Sequence, residues 1–191
     1  RRIWAKLLKE RYGVTDEKAL MFRFGVVCGG SSLTAAQPYN NIVRVGIENI
    51  AAVFGGAQSI FTCAYDEAFQ IPTETSAEIA LRTQQIVAHE SGIARTVDPL
   101  GGSYYVEWLT DRMEEEIMRT IGEIEDMGGA VQAIEEGRIQ QMTAEAAHRR
   151  KQAQDRGETV VVGVNAFRNT GEDQDFGEVF RLDPALSHRV M

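Results

Sequence analysis

The sequence predicts an α/β protein built on a parallel sheet, and three observations support that expectation. Helical and strand-type apolar patterns alternate through residue 92, their connections are short, and neither strand-like run alternates with polar residues. The last point matters because a strand covered on both faces has no solvent side to mark.

The elements follow in order. "RRIWAKLLKERYG" puts Ile3, Leu7 and Leu8 on one face and stops at Gly13, so it is read as a helix. "MFRFGVVCGG" is the first buried strand, ended by glycines. "YNNIVRVGIENIAAVFGG" repeats Ile42, Val43, Ile47, Ile50 and Phe54 at helical spacing, with Gly55 and Gly56 as a left-handed stop. "AQSIFTCAY" is the second strand. In "PTETSAEIALRTQQIVAHESG" Ser76 is the expected cap, Ile79, Thr83, Ile86 and Val87 share a helical face, and Gly92 closes the helix. This order fits an open doubly wound sheet or a closed eight-stranded barrel, and two strands do not separate them.

After "ARTVDPLGGS" the character changes. A long helix is predicted over 104–127, with a stripe of Val106, Leu109, Met113, Ile117, Ile121 and Ile124, and with Glu114, Glu115 and Glu116 facing water. Gly128 and Gly129 end it, a shorter helix covers 130–136, and "TAEAAHRRKQAQDRG" makes another. "ETVVVGVNAF" is read as a late strand, and the acidic tail "RNTGEDQDFGEVFRL" has the composition of a mobile segment. The expected organisation is 1–92 for the strand–helix units, 93–157 for a helical connector, and 158–191 for the short strand and tail.

With 43% hydrophobic and 25% charged residues over 191 positions, the composition is that of a globular protein. A net charge of −8 argues against nucleic acid or an anionic membrane as partner. No apolar run approaches the roughly 20 residues that cross a bilayer. Cys28 and Cys63 are the only cysteines, so free thiols in a reducing, cytoplasmic compartment are expected. The chain opens inside a helical pattern without an initiator Met, which marks it as an expected piece of a longer protein.

Parallel sheets place ligands at the carboxyl ends of their strands, here "VCGGSS" and "CAYDEA". Gly29 and Gly30 would let a bulky ligand approach the backbone, or simply make a tight turn; their spacing is neither GxGxxG nor a Walker loop. The Glu67 carboxylate could accept hydrogen bonds from both hydroxyls of a ribose, or could be a loop or capping acid. Asp66 is expected to point elsewhere and to be structural. His89, His148 and His188 lack metal-ligand spacing, and no nucleophile elbow is present, so neither a metal site nor a catalytic residue is assigned. Read residue by residue, the chain reaches a ligand site at two strand ends but not a reaction.

"LTAAQPYNNIVRVGIENIAAVFGGAQS", followed by "DEAFQIPTETSAEIALRTQQIVAHESGIARTVDPLGGSYYVE", resembles the large (alpha) chain of coenzyme-B12-dependent acyl-CoA mutases, the methylmalonyl-CoA mutase-like family. The resemblance runs from about Arg1 to Asn165. It implies the C-terminal portion of a (β/α)8 TIM barrel, with the last two β/α units over 1–92 and a connector toward a cobalamin-binding part beyond. It implies adenosylcobalamin as cofactor, an acyl-CoA as substrate, and radical carbon-skeleton rearrangement as the reaction. The partner it implies is a cobalamin-binding domain or small subunit carrying the cobalt-ligating histidine, because the DxHxxG motif is absent from this sequence.

By the same resemblance, Glu67 matches the glutamate that binds the adenosyl ribose and Gly30 a glycine packed against the corrin. Ala68 and Gln70 match positions at the cobalamin edge, and Gln58 lies in the family's approach to its strand. Four positions depart from the methylmalonyl-CoA mutase pattern. Ser31 replaces a tryptophan, Val27 a glutamine, Gly25 a histidine and Cys63 an asparagine. These departures imply a roomier, less polar cavity, hence a different branched, hydroxylated or aromatic acyl-CoA, or a silent assembly homologue. Catalytic residues are expected upstream of Arg1.

Overall fold

A computed structural model describes residues 1–169 of the chain. The expected acidic tail from residue 170 onward and His188 lie outside those residues. In chain order the elements are α1 (Arg2–Tyr12), α2 (Glu17–Leu20), β1 (Gly25–Val27), α3 (Asn40–Phe54), β2 (Ser59–Phe61), α4 (Glu74–His89), α5 (Tyr104–Asp126), α6 (Ala130–Glu135) and α7 (Arg138–Asp155). Short 3-10 turns occupy Gly30–Ser32 and Ile93–Arg95. The described residues form two compact units, Phe24–Pro99 and Arg1–Arg23 with Leu100–Phe167.

The unit Phe24–Pro99 is α/β. Its strands pair in parallel, with Gly25 opposite Ser59, Val26 opposite Ile60 and Val27 opposite Phe61. Period-two alternation then divides the side chains between two faces. Ile60 packs on a core of Cys28, Leu33, Val45 and Cys63. Val27 and Phe61 are 69% and 65% exposed on the other face. Both strands are shorter than the apolar runs that announced them, because pairing rather than hydrophobicity decides where a strand ends.

Helices α3 and α4 pack on one another. The buried face of α3 runs through Asn41, Val45, Asn49 and Ala52, whereas Val43 and Ile47 of the predicted apolar repeat are exposed. The reason is that the inward face carries Asn41 and Asn49, whose amides donate to the Thr34, Tyr65 and Thr83 carbonyls, a requirement that the apolar repeat does not express. The cap of α4 is Thr73 rather than Ser76: the Thr73 hydroxyl accepts from the Ser76 N–H at 3.2 Å. Of the two glycines after α3, only Gly56 is left-handed, at φ 69°.

In the other unit, Trp4 packs against Phe22 with the rings tilted by 40° and 5.2 Å between their centres, and it donates to the Ala19 carbonyl at 3.1 Å. Glu114 does not face water as predicted. It accepts from Arg2 at 2.7 Å and from Lys6, and only 17% of its side chain is exposed. Sequence spacing on α5 alone could not show that α1 brings two cations to it. Glu115 and Glu116 are exposed and pair with Arg112 and Arg119 on their own helix. The 158–167 stretch, read as a strand, is a turn with a single bridge between Val162 and Ala166. Among the described residues no strand pairs with it, and the Asn165 amide instead donates to the Gln154 and Thr159 carbonyls, both at 2.8 Å.

Candidate functional site

The loops that leave the carboxyl ends of β1 and β2 are held by side chains of α3. Glu48 reaches the first loop, accepting from the Gly29 N–H at 2.8 Å and the Ser32 hydroxyl at 2.5 Å. Asn41, fully buried at the start of α3, ties both loops together. Its Oδ1 accepts from the Thr34 N–H at 3.1 Å and Arg44 at 2.6 Å, and its Nδ2 donates to the Thr34 carbonyl at 2.9 Å and the Tyr65 carbonyl at 2.8 Å. Every hydrogen-bonding position of that amide is used, so the residue is a fixed brace rather than a tolerated burial.

The second loop turns sharply at Asp66 and Glu67. Phe69 and Gln70 donate their N–H groups to the Asp66 carbonyl, both at 3.0 Å, and Glu67 donates its own to Ala64 at 3.2 Å. Asp66 is fully buried; its Oδ2 accepts from Gln70 Nε2 at 2.8 Å and from the Thr73 N–H at 3.3 Å. Glu67, the next residue, is exposed.

Glu67 extends over Gly30. A Cβ built on Gly30 would stand 2.5 Å from Glu67 Oε1, so the end of that side chain would have to move aside. Below it, Cys63 is buried, and its thiol donates to the Cys28 carbonyl at 3.0 Å. Burial, with the Glu67 carboxylate beside it, pushes that thiol up to about 12. Burial, with Glu48 nearby, raises the Cys28 thiol as well. Both sulfurs therefore stay protonated at neutral pH, Cys63 as a donor and both as packing groups rather than nucleophiles.

The sequence-predicted residues fall into four groups. Gly30 and Glu67 meet across the two loops, and Ser31 and Ala68 follow them in sequence, exposed like Glu67. Val27 is exposed at the end of β1. Cys63 and Gln70 are placed behind this rim: Cys63 is 3% exposed, and the Gln70 amide is engaged by Asp66. Gln58 sits at the opposite ends of the strands, where its Oε1 accepts from the Phe24 N–H at 2.8 Å. Residue-level reading missed Glu48, Asn41 and Phe61. The available signal for Glu48 was a lone carboxylate in an apolar helix two turns beyond Asn41. Among the described residues, no three His, Cys, Asp or Glu side chains converge as metal ligands.

Chemically, the site offers an exposed carboxylate acceptor above a patch of backbone without side chains. That combination suits a hydroxyl-bearing ligand with a broad flat part, and supplies neither nucleophile nor acid–base pair.

A family model described as methylmalonyl-CoA mutase matches residues 1–190. The chain is 44% identical over 173 residues to the 2-hydroxyisobutanoyl-CoA mutase large subunit of Aquincola tertiaricarbonis, covering 91% of this chain and 31% of that protein. It is 44% identical over 183 residues to the mitochondrial methylmalonyl-CoA mutase of Homo sapiens, covering 96% of this chain and 24% of the relative. To the methylmalonyl-CoA mutase of Escherichia coli (strain K12) it is 43% identical over 186 residues, covering 97% and 26% respectively. The chain thus spans between about a quarter and a third of the length of these relatives.

Proposed function

The chain belongs to the methylmalonyl-CoA mutase family, and we propose that it is the part of an adenosylcobalamin-dependent acyl-CoA mutase, an isomerase, that receives the coenzyme's adenosyl end. In this reading its sheet is the closing portion of a (β/α)8 barrel and the segment 93–157 leads toward a cobalamin-binding domain or subunit.

The observation that supports this is the pairing of Glu67 with Gly30 at adjacent parallel strand ends. The fit to the coenzyme is chemical. A carboxylate free to face solvent accepts two hydroxyl donors at once, each charge-assisted bond contributing about 1.5–3 kcal/mol. Gly29 and Gly30 leave backbone bare beside it, and Ser31 and Ala68 add only small side chains. Bound there, adenosylcobalamin would supply the radical chemistry of the rearrangement. This chain's own residues would bind and orient it: Glu67 by accepting from the ribose, and Glu48 and Asn41 by holding the loops. Titration of the intact assembly with adenosylcobalamin tests the reading. Glu67→Gln should weaken binding by roughly tenfold, and an unchanged affinity would return Glu67 to the role of a loop acid.

The substrate is read as an acyl-CoA other than methylmalonyl-CoA. Support comes from Val27 and Phe61, which lie in register on the exposed face of the strands and make it apolar. An acyl-CoA panel on the intact enzyme decides this. Preference for a bulkier or less polar acyl group supports it, and preference for methylmalonyl-CoA overturns it.

A further inference from the structure

Asp66 stands out as a fully buried carboxylate with only one of its oxygens engaged. Oδ2 accepts from Gln70 Nε2 and the Thr73 N–H, while Oδ1 has no hydrogen-bond partner among the described residues. Leaving a carboxyl oxygen buried and unpartnered is costly, and an apolar residue would fill the same volume without that penalty. Packing alone therefore gives no reason for an acid here.

The bonds themselves point to a reason. The main chain of residues 64–70 is drawn tight by the Glu67, Phe69 and Gln70 N–H groups, and Tyr65 is held by Asn41. What remains to be set is the rotation of this turn against α4. Asp66 supplies that tie through Thr73, the residue that caps α4. Because Glu67 follows directly, any slack at Asp66 passes to the one carboxylate that lies over Gly30.

We propose that Asp66 is the positioning residue for Glu67, with its buried carboxylate locking the turn to the start of α4 so that the neighbouring carboxylate is held at the rim. The inference rests on the coenzyme-binding role proposed for Glu67 and adds a residue that acts only through it.

A double-mutant cycle in the intact enzyme, read by visible-absorbance titration with adenosylcobalamin and by thermal melting, tests this. Asp66→Ala should weaken coenzyme binding about tenfold, and Asp66→Asn, which keeps an oxygen for Gln70 and Thr73, should recover most of the loss. On a Glu67→Gln background, Asp66→Ala should weaken binding no further. Gln70→Met removes one of the two ties while retaining the fold, and should show a smaller loss, about threefold, that likewise vanishes on the Glu67→Gln background. Losses that persist on that background, or an Asp66 effect confined to melting temperature, would overturn the positioning role while leaving the Glu67 reading intact. If Glu67→Gln alone leaves the affinity unchanged, the coenzyme-binding reading fails, and this inference fails with it.

Discussion

The Glu67 carboxylate occupies the space that a side chain on Gly30 would need, with a Cβ at position 30 falling 2.5 Å from Oε1. Gly30 is not among the left-handed residues, so its requirement for glycine is one of room and not of backbone conformation. The absence of a side chain there serves the neighbouring acid first, before any ligand arrives.

Gly30→Ala should therefore fold normally and displace the Glu67 carboxylate. We expect adenosylcobalamin affinity of the intact enzyme to fall by about the amount lost in Glu67→Gln, with melting temperature changed little. A large loss of stability with unchanged affinity would contradict this.

Asn41 braces both loops with all of its hydrogen-bonding capacity. Asn41→Ala strands the Thr34 N–H and the Tyr65 carbonyl, and should cost about 2–4 kcal/mol in denaturant unfolding. Asn41→Asp, which turns a donor into an acceptor against two carbonyls, should cost at least as much.

The Cys63 thiol, raised to about 12, should resist alkylation of the native protein at pH 8 and react once the protein unfolds. The sign of the pH dependence follows. Its folded value lies above its ordinary value, so the stability it contributes is complete below about 9 and is lost as pH rises toward 12. Cys63→Val should flatten the fall in unfolding free energy across that alkaline window.

Glu114 sits below the usual carboxylate range because Lys6 hydrogen-bonds it and Arg2 lies beside it. A depressed carboxylate contributes stability above its unfolded value near 4.5, which is lost as pH falls through the folded value. Glu114→Gln should lower the melting temperature at pH 7 and low salt, and the difference from the parent should shrink in high salt and vanish in acid.

The α/β class, the order of helices and strands over residues 24–99, and the two loops at the strand ends were legible because hydrophobic periodicity and glycine punctuation are local properties. Residues 57–70 state their strand, their turn and their paired acids without outside help. The long helix α5 was equally plain from its apolar stripe. Tertiary structure decided what depends on partners distant in sequence. Which face of α3 turns inward was set by the loops that Asn41 and Glu48 grip, and Glu114 is paired because Arg2 and Lys6 arrive from more than a hundred residues away. The division of roles between the paired acids was legible, since Asp66 was expected to be structural and is buried while Glu67 is exposed. What the sequence could not give is the partners: Gln70 and Thr73 for the buried acid and Gly30 under the exposed one, because only the close packing of two loops and a helix start brings those groups together.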